Sequence, residues 1–573
     1  MSCQAVLFGK SVSLGEDLVA ILGIARSDIS GERDMRPLEN VQIGLRKVHP
    51  SHLRALAVGS YPSVRTLGLG LAEVPAFLRA LAESRCSVDK PVLEALDVCL
   101  HLKQREAAAG RQGLELLGES IEKGRLGFIR KIKIRGEGAM PALAEARERF
   151  FQALSNKQLP RLSVLSLVDL RLVRLEVNFL VEALRKGNLP RLRVLDLPGN
   201  ESQYERAVGG SEMRNLMRAV VESEGSLHDL EELNLSGTNA GMGAGGLGRA
   251  LRSGNLRRLS VVNLSRSRLS TTAVRSLAEA VRDGALVALS SLNLKENFYR
   301  SCMLKGYAIG EYVEPAGWTE LLQNEDGLPS LKRLDLVGTN AQEAGPAGRL
   351  ATVLGTGKLL SLECLRPNFF QDPTEPFELD DGGVQRLSDA VRAGRFPPGL
   401  CLLGFRLVRG VQGIDVDRLI SAIAESEKGL PLCIASLNLL GGRLREDSLM
   451  KLARSGRGSS GSRLSNLKDL ALCDCEIDDH RLKRLAEVFC AHGCPRLTLL
   501  NLFLNKISPE GLKAFVDALS PEALPCLIDL SVGGQQGFEG RDSEEEKRFA
   551  RHIESLKERV RSEGKLKSLR IFR

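Results

Sequence analysis

The residues best suited to chemistry in this chain are a run of glycines, two lysine-bearing glycine turns and a group of cysteines with nearby histidines. Gly243, Gly245 and Gly248 form a G-x-G-x-x-G that follows an apolar segment and opens a helical pattern, the spacing with which a backbone cradles a dinucleotide pyrophosphate. No acidic residue ends the next apolar segment, LSVVNLSRS, to take a ribose hydroxyl, so these glycines read as ordinary turn residues. FGKS at 8–11 and GTGK at 355–358 resemble the end of a phosphate-binding loop. Gln4 and Thr352, however, stand where its first glycine is required, and no Ser or Thr follows Lys358. Cys473, Cys475, Cys490 and Cys494, with His480 and His492, are the remaining group. A helical stretch separates the two cysteine pairs and puts them at opposite ends of one structural unit, whereas zinc sites use tight C-x-x-C knuckles, so they read as structural thiols. Neither H-E-x-x-H nor G-x-S-x-G occurs, and nothing selects a nucleophile or base among the seven histidines. The expectation is a protein that is no enzyme, with no cofactor, no metal and no small-molecule substrate.

The elements that carry these residues repeat. At 573 residues the chain exceeds one ordinary core, and 43% hydrophobic residues with only 4% aromatic ones require a core built from aliphatic side chains. The pattern L-x-x-L-x-L supplies it: LSVLSL from Leu162, LRVLDL from Leu192, LEELNL from Leu230, LSVVNL from Leu259, LSSLNL from Leu289 and LKRLDL from Leu331. IASLNL from Ile434, LKDLAL from Leu467, LTLLNL from Leu497, LIDLSV from Leu527 and LKSLRI from Leu566 continue it, and weaker copies start at Leu38, Val64, Leu93, Ile129, Leu362 and Leu400. These seventeen starts lie 26 to 42 residues apart, 33 on average. The last two leucines of each copy are two residues apart, so both meet one face of a strand and the residue between them faces away. Between the strands run amphipathic helical stretches such as FLVEALRKG (179–187), LGRALRSG (247–254), VRSLAEAVRDG (274–284) and LKAFVDAL (512–519). Gly187, Gly254, Gly284 and Gly394 close helices in the left-handed conformation. A single unit cannot hide its apolar side. Stacking does, and three buried leucines contribute roughly 5 to 9 kcal/mol before entropy is charged.

Strand, loop with an LDLxxN-like ending, and a full helix in roughly 30 residues resemble the ribonuclease-inhibitor class of leucine-rich repeats over residues 38–573. The resemblance implies an α/β solenoid of about seventeen repeats: a curved horseshoe with a parallel sheet on the concave face and helices on the convex face. It implies a non-enzymatic scaffold whose partner is another protein. The same class also contains Ran-type GTPase-activating proteins, which carry a long acidic tail absent here, and sensor regions of larger receptors. The loop asparagine of the class stands at Asn200, Asn297 and Asn505 and is missing from many units.

Residues 1–37 are read as an N-terminal cap, and RDSEEEKRFARHIESLKERVRSEG (541–564) as a charged final helix before a last strand, whose uncovered side implies a further segment or a covering partner. Longer units place insertions at about 198–210, 295–326 and 366–382, all on the strand-to-helix side. The middle one holds the only tryptophan, Trp318, with Tyr299, Tyr307 and Tyr312, residue types enriched at the centres of interfaces. Candidate contacts on the outward strand positions are Val194, Glu232, Asn263, Asn293, Arg333, Asp335 and Phe503. Outward apolar residues are expected at Val164, Val168, Val337, Leu402 and Leu440 as well. IRKIKIR (129–135) sends Lys131, Lys133 and Arg135 outward and Ile132 and Ile134 inward. RSGRGSSGSRLSN (454–466) is a flexible connector. An excess of 80 Lys and Arg over 71 Asp and Glu, without interleaved aromatics, does not call for nucleic acid. With no apolar run of membrane length, no signal-peptide pattern at the start and twelve irregularly spaced cysteines, a cytoplasmic protein that avoids membranes is expected.

Overall fold

The computed structural model describes residues 4–7, 40–43, 66–70, 74–83, 95–100, 107–136, 143–199, 210–222, 227–238, 245–297, 320–321, 328–336, 354, 359–366, 377–400, 403–407, 413–455, 463–535, 544–563 and 566–572. They fall into two compact units: Met1–Asn293 with Tyr299–Tyr312, and Leu294–Phe298 with Val313–Arg573.

The first unit opens with β1 (Gln4–Leu7), β2 (Asn40–Ile43) and β3 (Thr66–Gly70), then alternates: α1 (Val74–Glu83), β4 (Ala95–Leu100), α2 (Ala107–Glu122), β5 (Lys131–Gly136), α3 (Ala144–Asn156). It goes on through β6 (Val164–Val168), α4 (Arg174–Arg185), β7 (Val194–Asp196), α5 (Gly210–Glu222), β8 (Glu232–Asn234), α6 (Gly245–Arg252), β9 (Val261–Asn263), α7 (Thr271–Arg282) and β10 (Ser291–Asn293). Each strand pairs in parallel with the next in chain order. Parallel neighbours demand a crossover, and from β3 onward the intervening helix supplies it.

The second unit contains β11 (Arg333–Asp335) and β12 (Cys364–Arg366), which pair with each other, then β13 (Phe377–Leu379) and α8 (Asp381–Ala393). The alternation resumes with β14 (Leu403–Leu407), α9 (Asp417–Glu425), β15 (Ile434–Asn438), α10 (Glu446–Ser455), β16 (Asp469–Ala471) and α11 (Asp479–His492). It closes with β17 (Leu499–Asn501), α12 (Pro509–Ala518), β18 (Asp529–Ser531), α13 (Glu544–Ser562) and β19 (Ile571–Phe572). Strands β13 to β19 form a seven-stranded parallel sheet in chain order.

Every start read from the leucine spacing carries a strand, from β2 to β12 and from β14 to β19. Two strands were not expected. The segment read as a cap contributes β1, which pairs with β2. The 366–382 segment, read as an insertion, contains β13, and it is β13 that pairs with β14. Leu379 there is fully buried and Asp380 caps α8 by accepting a hydrogen bond from Gly383 N at 2.6 Å, so residues 377–382 are a core strand followed directly by a helix start. The helices end as the sequence implies, with positive φ at Gly187, Gly254, Gly284 and Gly394, and two of them begin on a capping serine: Ser270 Oγ accepts from Ala273 N and Ser508 Oγ from Gly511 N.

What holds adjacent units together is partly polar, at a fixed place. Counting from the first residue of L-x-x-L-x-L, the eighth is left-handed in nine copies: Asp169, Gly199, Gly237, Arg266, Glu296, Gly441, Asp474, Leu504 and Gly534. Where the ninth is polar, among the described residues, its side chain is buried and hydrogen-bonded to backbone. Thr238 Oγ1 donates to Leu235 O at 2.6 Å, Ser267 Oγ to Leu235 O at 2.8 Å, and Asn297 Nδ2 to Leu294 O at 2.8 Å. Asn505 does most: its Nδ2 donates to Leu472 O (2.8 Å) and Leu502 O (2.9 Å), and its Oδ1 accepts from Cys475 N and Ile477 N (both 3.0 Å). Gln535 repeats the arrangement one unit on, donating to Leu502 O and Val532 O and accepting from Ile507 N. Thr238 and Asn297 close their own turns, while Ser267, Asn505 and Gln535 also reach a neighbouring one.

The left-handed eighth position costs a branched residue about 1–2 kcal/mol that glycine escapes. Leu504 (φ 58°) is exposed there, and its N–H donates to Gly533 O at 3.2 Å, a bond that glycine retains. Leu504→Gly is therefore expected to leave stability unchanged or raise it by up to about 1 kcal/mol, and Leu504→Val to lower it by about 1 kcal/mol, read from urea unfolding. Equal destabilisation by both would contradict the assignment.

Candidate functional site

The strand positions between the buried leucines make rows across each sheet. In the first unit one row runs Lys131, Val164, Val194, Glu232, Val261, Ser291, and the other Lys133, Ser166, Asp196, Asn234, Asn263, Asn293, each residue in register with the next. Their neighbours Ile132, Leu165, Leu195, Leu233, Val262 and Leu292 are buried, at 0–3% exposure, while the rows themselves are half-buried or exposed apart from Ser166. Alternation on a parallel sheet with one covered face requires this arrangement.

The two rows differ in what their polar atoms do. In the second row Asp196 accepts from Ser166 Oγ (2.6 Å) and from Asn234 Nδ2 (2.7 Å). Asn234 Oδ1 in turn accepts from Ser236 N at 3.0 Å, and Asn263 Oδ1 from Ser265 N at 3.1 Å. The recurring Asn or Asp thus folds the turn that follows its strand, the local bonding for which this residue type is suited. The first row has no such internal bonding. Its valines at 164, 194 and 261 are half-exposed, and Glu232 stands exposed between Val194 and Val261. Of the sequence candidates, Val194 and Glu232 therefore lie in the row whose atoms are uncommitted, while Asn263 and Asn293 lie in the other.

In the second unit the corresponding rows run Ser436, Asp469, Leu499, Asp529 and Asn438, Ala471, Asn501, Ser531. Burial raises the Asp469 carboxyl above its ordinary value, and a hydrogen bond from Thr498 Oγ1 (3.3 Å) pulls it back. Asn438 and Asn501 repeat the turn-closing bond, to Leu440 N and Phe503 N. Phe503 and Leu440 are 42% and 40% exposed, well above the neighbouring core leucines. One side of the Phe503 ring rests on Gly533 and Gly534; a Cβ on Gly534 would collide with it at 2.6 Å, and one on Gly533 would crowd it at 3.3 Å. Arg333 is exposed and Asp335 half-buried, both on β11. Tyr299, Tyr307, Tyr312 and Trp318 lie outside the described residues, as do Asn200, Val337, Leu402, most of the three segments read as insertions and most of the 454–466 connector.

The motifs set aside on sequence grounds have structural explanations. Gly248, last of the G-x-G-x-x-G, faces α7 so closely that a Cβ would lie 2.6 Å from Ser276 O; the glycine permits helix packing. Cys475 and Cys494 are buried, with thiols pushed up to about 12, which makes them poor nucleophiles and poor ligands. Cys475 fills the ninth position and donates to Leu439 O at 3.0 Å. Cys490 and Cys526 differ from the expected buried thiols in being exposed. Among the described residues no group of three or more His, Cys, Asp or Glu is placed to hold a metal ion, and no helix is long and apolar enough to cross a membrane.

The geometry around β17 meets an independent signal. The family model for the leucine-rich repeat matches residues 493–516, which run through β17, the Asn505 turn and into α12. This chain carries a leucine-rich repeat. The strand, left-handed eighth residue and inward ninth residue of the matched leucine-rich repeat recur at Leu467 and Leu527 on either side of it. No curated protein matches the chain. Leucine-rich repeats generally mediate protein–protein interaction, and the family is typically non-enzymatic. Asparagine alone does not mark the ninth position in this sequence; the fixed offset from each leucine start is the signal that identifies Thr238, Ser267, Cys475 and Gln535.

Proposed function

We propose that this chain is a non-enzymatic scaffold of the ribonuclease-inhibitor-like class that binds another protein through the outward strand faces. The observation that carries this is the first row of the first unit. Val164, Val194 and Val261 are left half-exposed in register on the sheet, with the exposed carboxylate of Glu232, which has no ion-pair partner among the described residues, beside them. Apolar groups flanked by charge, held without side-chain freedom to lose, suit a protein surface. The aromatic segment 295–326, with Tyr299, Tyr307, Tyr312 and Trp318, and the outward residues Arg333, Asp335 and Phe503 are assigned to the same role.

The test is affinity capture from native extract with the full chain as bait and quantitative mass spectrometry as readout. Val194→Arg with Val261→Arg should reduce the principal captured protein by about tenfold or more, since a buried charge at an interface centre costs well over 1.4 kcal/mol. Arg275→Glu on α7 should leave capture unchanged. Equal capture by both variants would remove the strand face from consideration.

A further inference from the structure

We propose that the outward face of β5 and β6 takes an extended acidic segment of a partner protein, with carboxylates at alternate residues. This rests on the strand faces being the contact surface and adds the chemistry of what they hold. Lys131, Lys133 and Arg135 leave one face of one strand, two of them half-buried, while Ile132 and Ile134 fill the core beneath. None of the three has a hydrogen-bond or ion-pair partner among the described residues. Cations elsewhere beside the strands find acids: Arg193 pairs with Glu231, and Arg258 with Asp229. Asp97 on β4 holds the register position beside Lys133, one acid against three cations; on the other side the neighbours are Val164, Ser166 and Val168.

Three positive charges with a single acid beside them repel one another, and an anionic partner removes that cost. An extended peptide repeats its side chains on one face every ~6.6–6.8 Å, the same interval that separates Lys131, Lys133 and Arg135 on their strand. Acidic residues at i, i+2 and i+4 therefore meet all three cations, and apolar residues beside them reach Val164 and Val168. A nucleic acid is the poorer fit. The outward rows from β5 to β10 contain no aromatic side chain for base stacking, and Asp196 and Glu232 oppose a phosphate backbone that continues across the sheet.

The experiment measures fluorescence anisotropy of a labelled peptide, Ser-Glu-Val-Glu-Val-Glu-Ser, with the full chain, beside an isomer in which the three glutamates are consecutive. The alternating peptide should bind several-fold more tightly than the isomer and weaken as salt rises from about 50 to 300 mM. Lys131→Glu with Lys133→Glu should weaken it at least tenfold, and Lys131→Gln with Lys133→Gln, which keeps the strand's shape, should weaken it as well. The proposal is overturned by no binding of the alternating peptide, by equal binding of the two isomers, by unchanged affinity in the glutamine variant, or by tighter binding of a single-stranded oligonucleotide. If Val194→Arg with Val261→Arg still abolishes partner capture while the peptide fails to bind, the interaction surface stands and only its acidic chemistry falls.

Discussion

Asn505→Leu should cost about 3–5 kcal/mol, more than the loss of one ordinary hydrogen bond, because a single buried amide here serves four backbone groups. Leucine shares the branched outline of asparagine, is larger, and leaves Cys475 N, Ile477 N, Leu472 O and Leu502 O without their partner, in a turn where Asn505 is 0% exposed. Each abandoned group bears its own desolvation penalty of about 1–3 kcal/mol, partly relieved as the turn loosens. Because the bonds cross between two adjacent turns, the effect is expected in both. Hydrogen exchange at Cys475 and Ile477 should accelerate together, while amides of α4 in the other unit keep their protection. Asn505→Thr should cost about half as much, since Thr238 fills the equivalent place with one donor. Unaltered protection of Cys475 and Ile477 in the leucine variant would show that the amide is not the hub.

A comparable loss is expected from Arg147→Met. Arg147 on α3 and Glu176 on α4 form an ion pair whose side chains are 8% and 2% exposed, and Glu176 also accepts from Val173 N at 2.8 Å. Burial pushes the Glu176 carboxyl above its ordinary value, and the Arg147 charge is the largest influence holding it down. Methionine keeps the volume and removes that charge, so the carboxyl rises further. The expected cost is about 3–5 kcal/mol near neutral pH, the usual result of stranding one partner of a buried pair. A carboxyl raised in the folded state binds protons that the unfolded chain releases. Its contribution to stability is therefore fully present below the unfolded value, near 4.5, and is lost as pH rises through the folded value. The deficit of Arg147→Met relative to the parent should shrink when unfolding is measured at pH 5 instead of pH 7. A deficit independent of pH would mean that lost packing, not the stranded carboxylate, is responsible.

These expectations show which parts of the molecule its sequence discloses. Leucines at L-x-x-L-x-L placed the strands because a period of two on a half-covered sheet admits only one register, so Leu195 had to be inside and Val194 outside. Helix ends were legible at Gly187 and Gly284 because few residues tolerate positive φ. The doubled strand at β12 and β13 was not legible: Phe377–Leu379 is too short to display periodicity and sits outside the spacing of its neighbours. Nor was the difference between the two outward rows. Asn263 and Glu232 look equally exposed on a strand template, and only the hydrogen bond from Ser265 N to Asn263 separates a turn-forming side chain from an uncommitted one. The Arg147–Glu176 pair joins residues of consecutive helices, a proximity that no local pattern encodes.

Adjacent residues on one strand facing opposite environments is the claim on which the interaction surface depends, and thiol labelling measures it directly. Single cysteines placed at Val194, Glu232 and Val261, and separately at Leu195, Leu233 and Val262, would be treated with a maleimide under native conditions and quantified peptide by peptide, with exposed Cys490 and Cys526 as internal standards. The first three should react at rates comparable to the standards, and the second three at least a hundredfold more slowly. Comparable rates for Val194→Cys and Leu195→Cys, or the reverse order, would contradict the account.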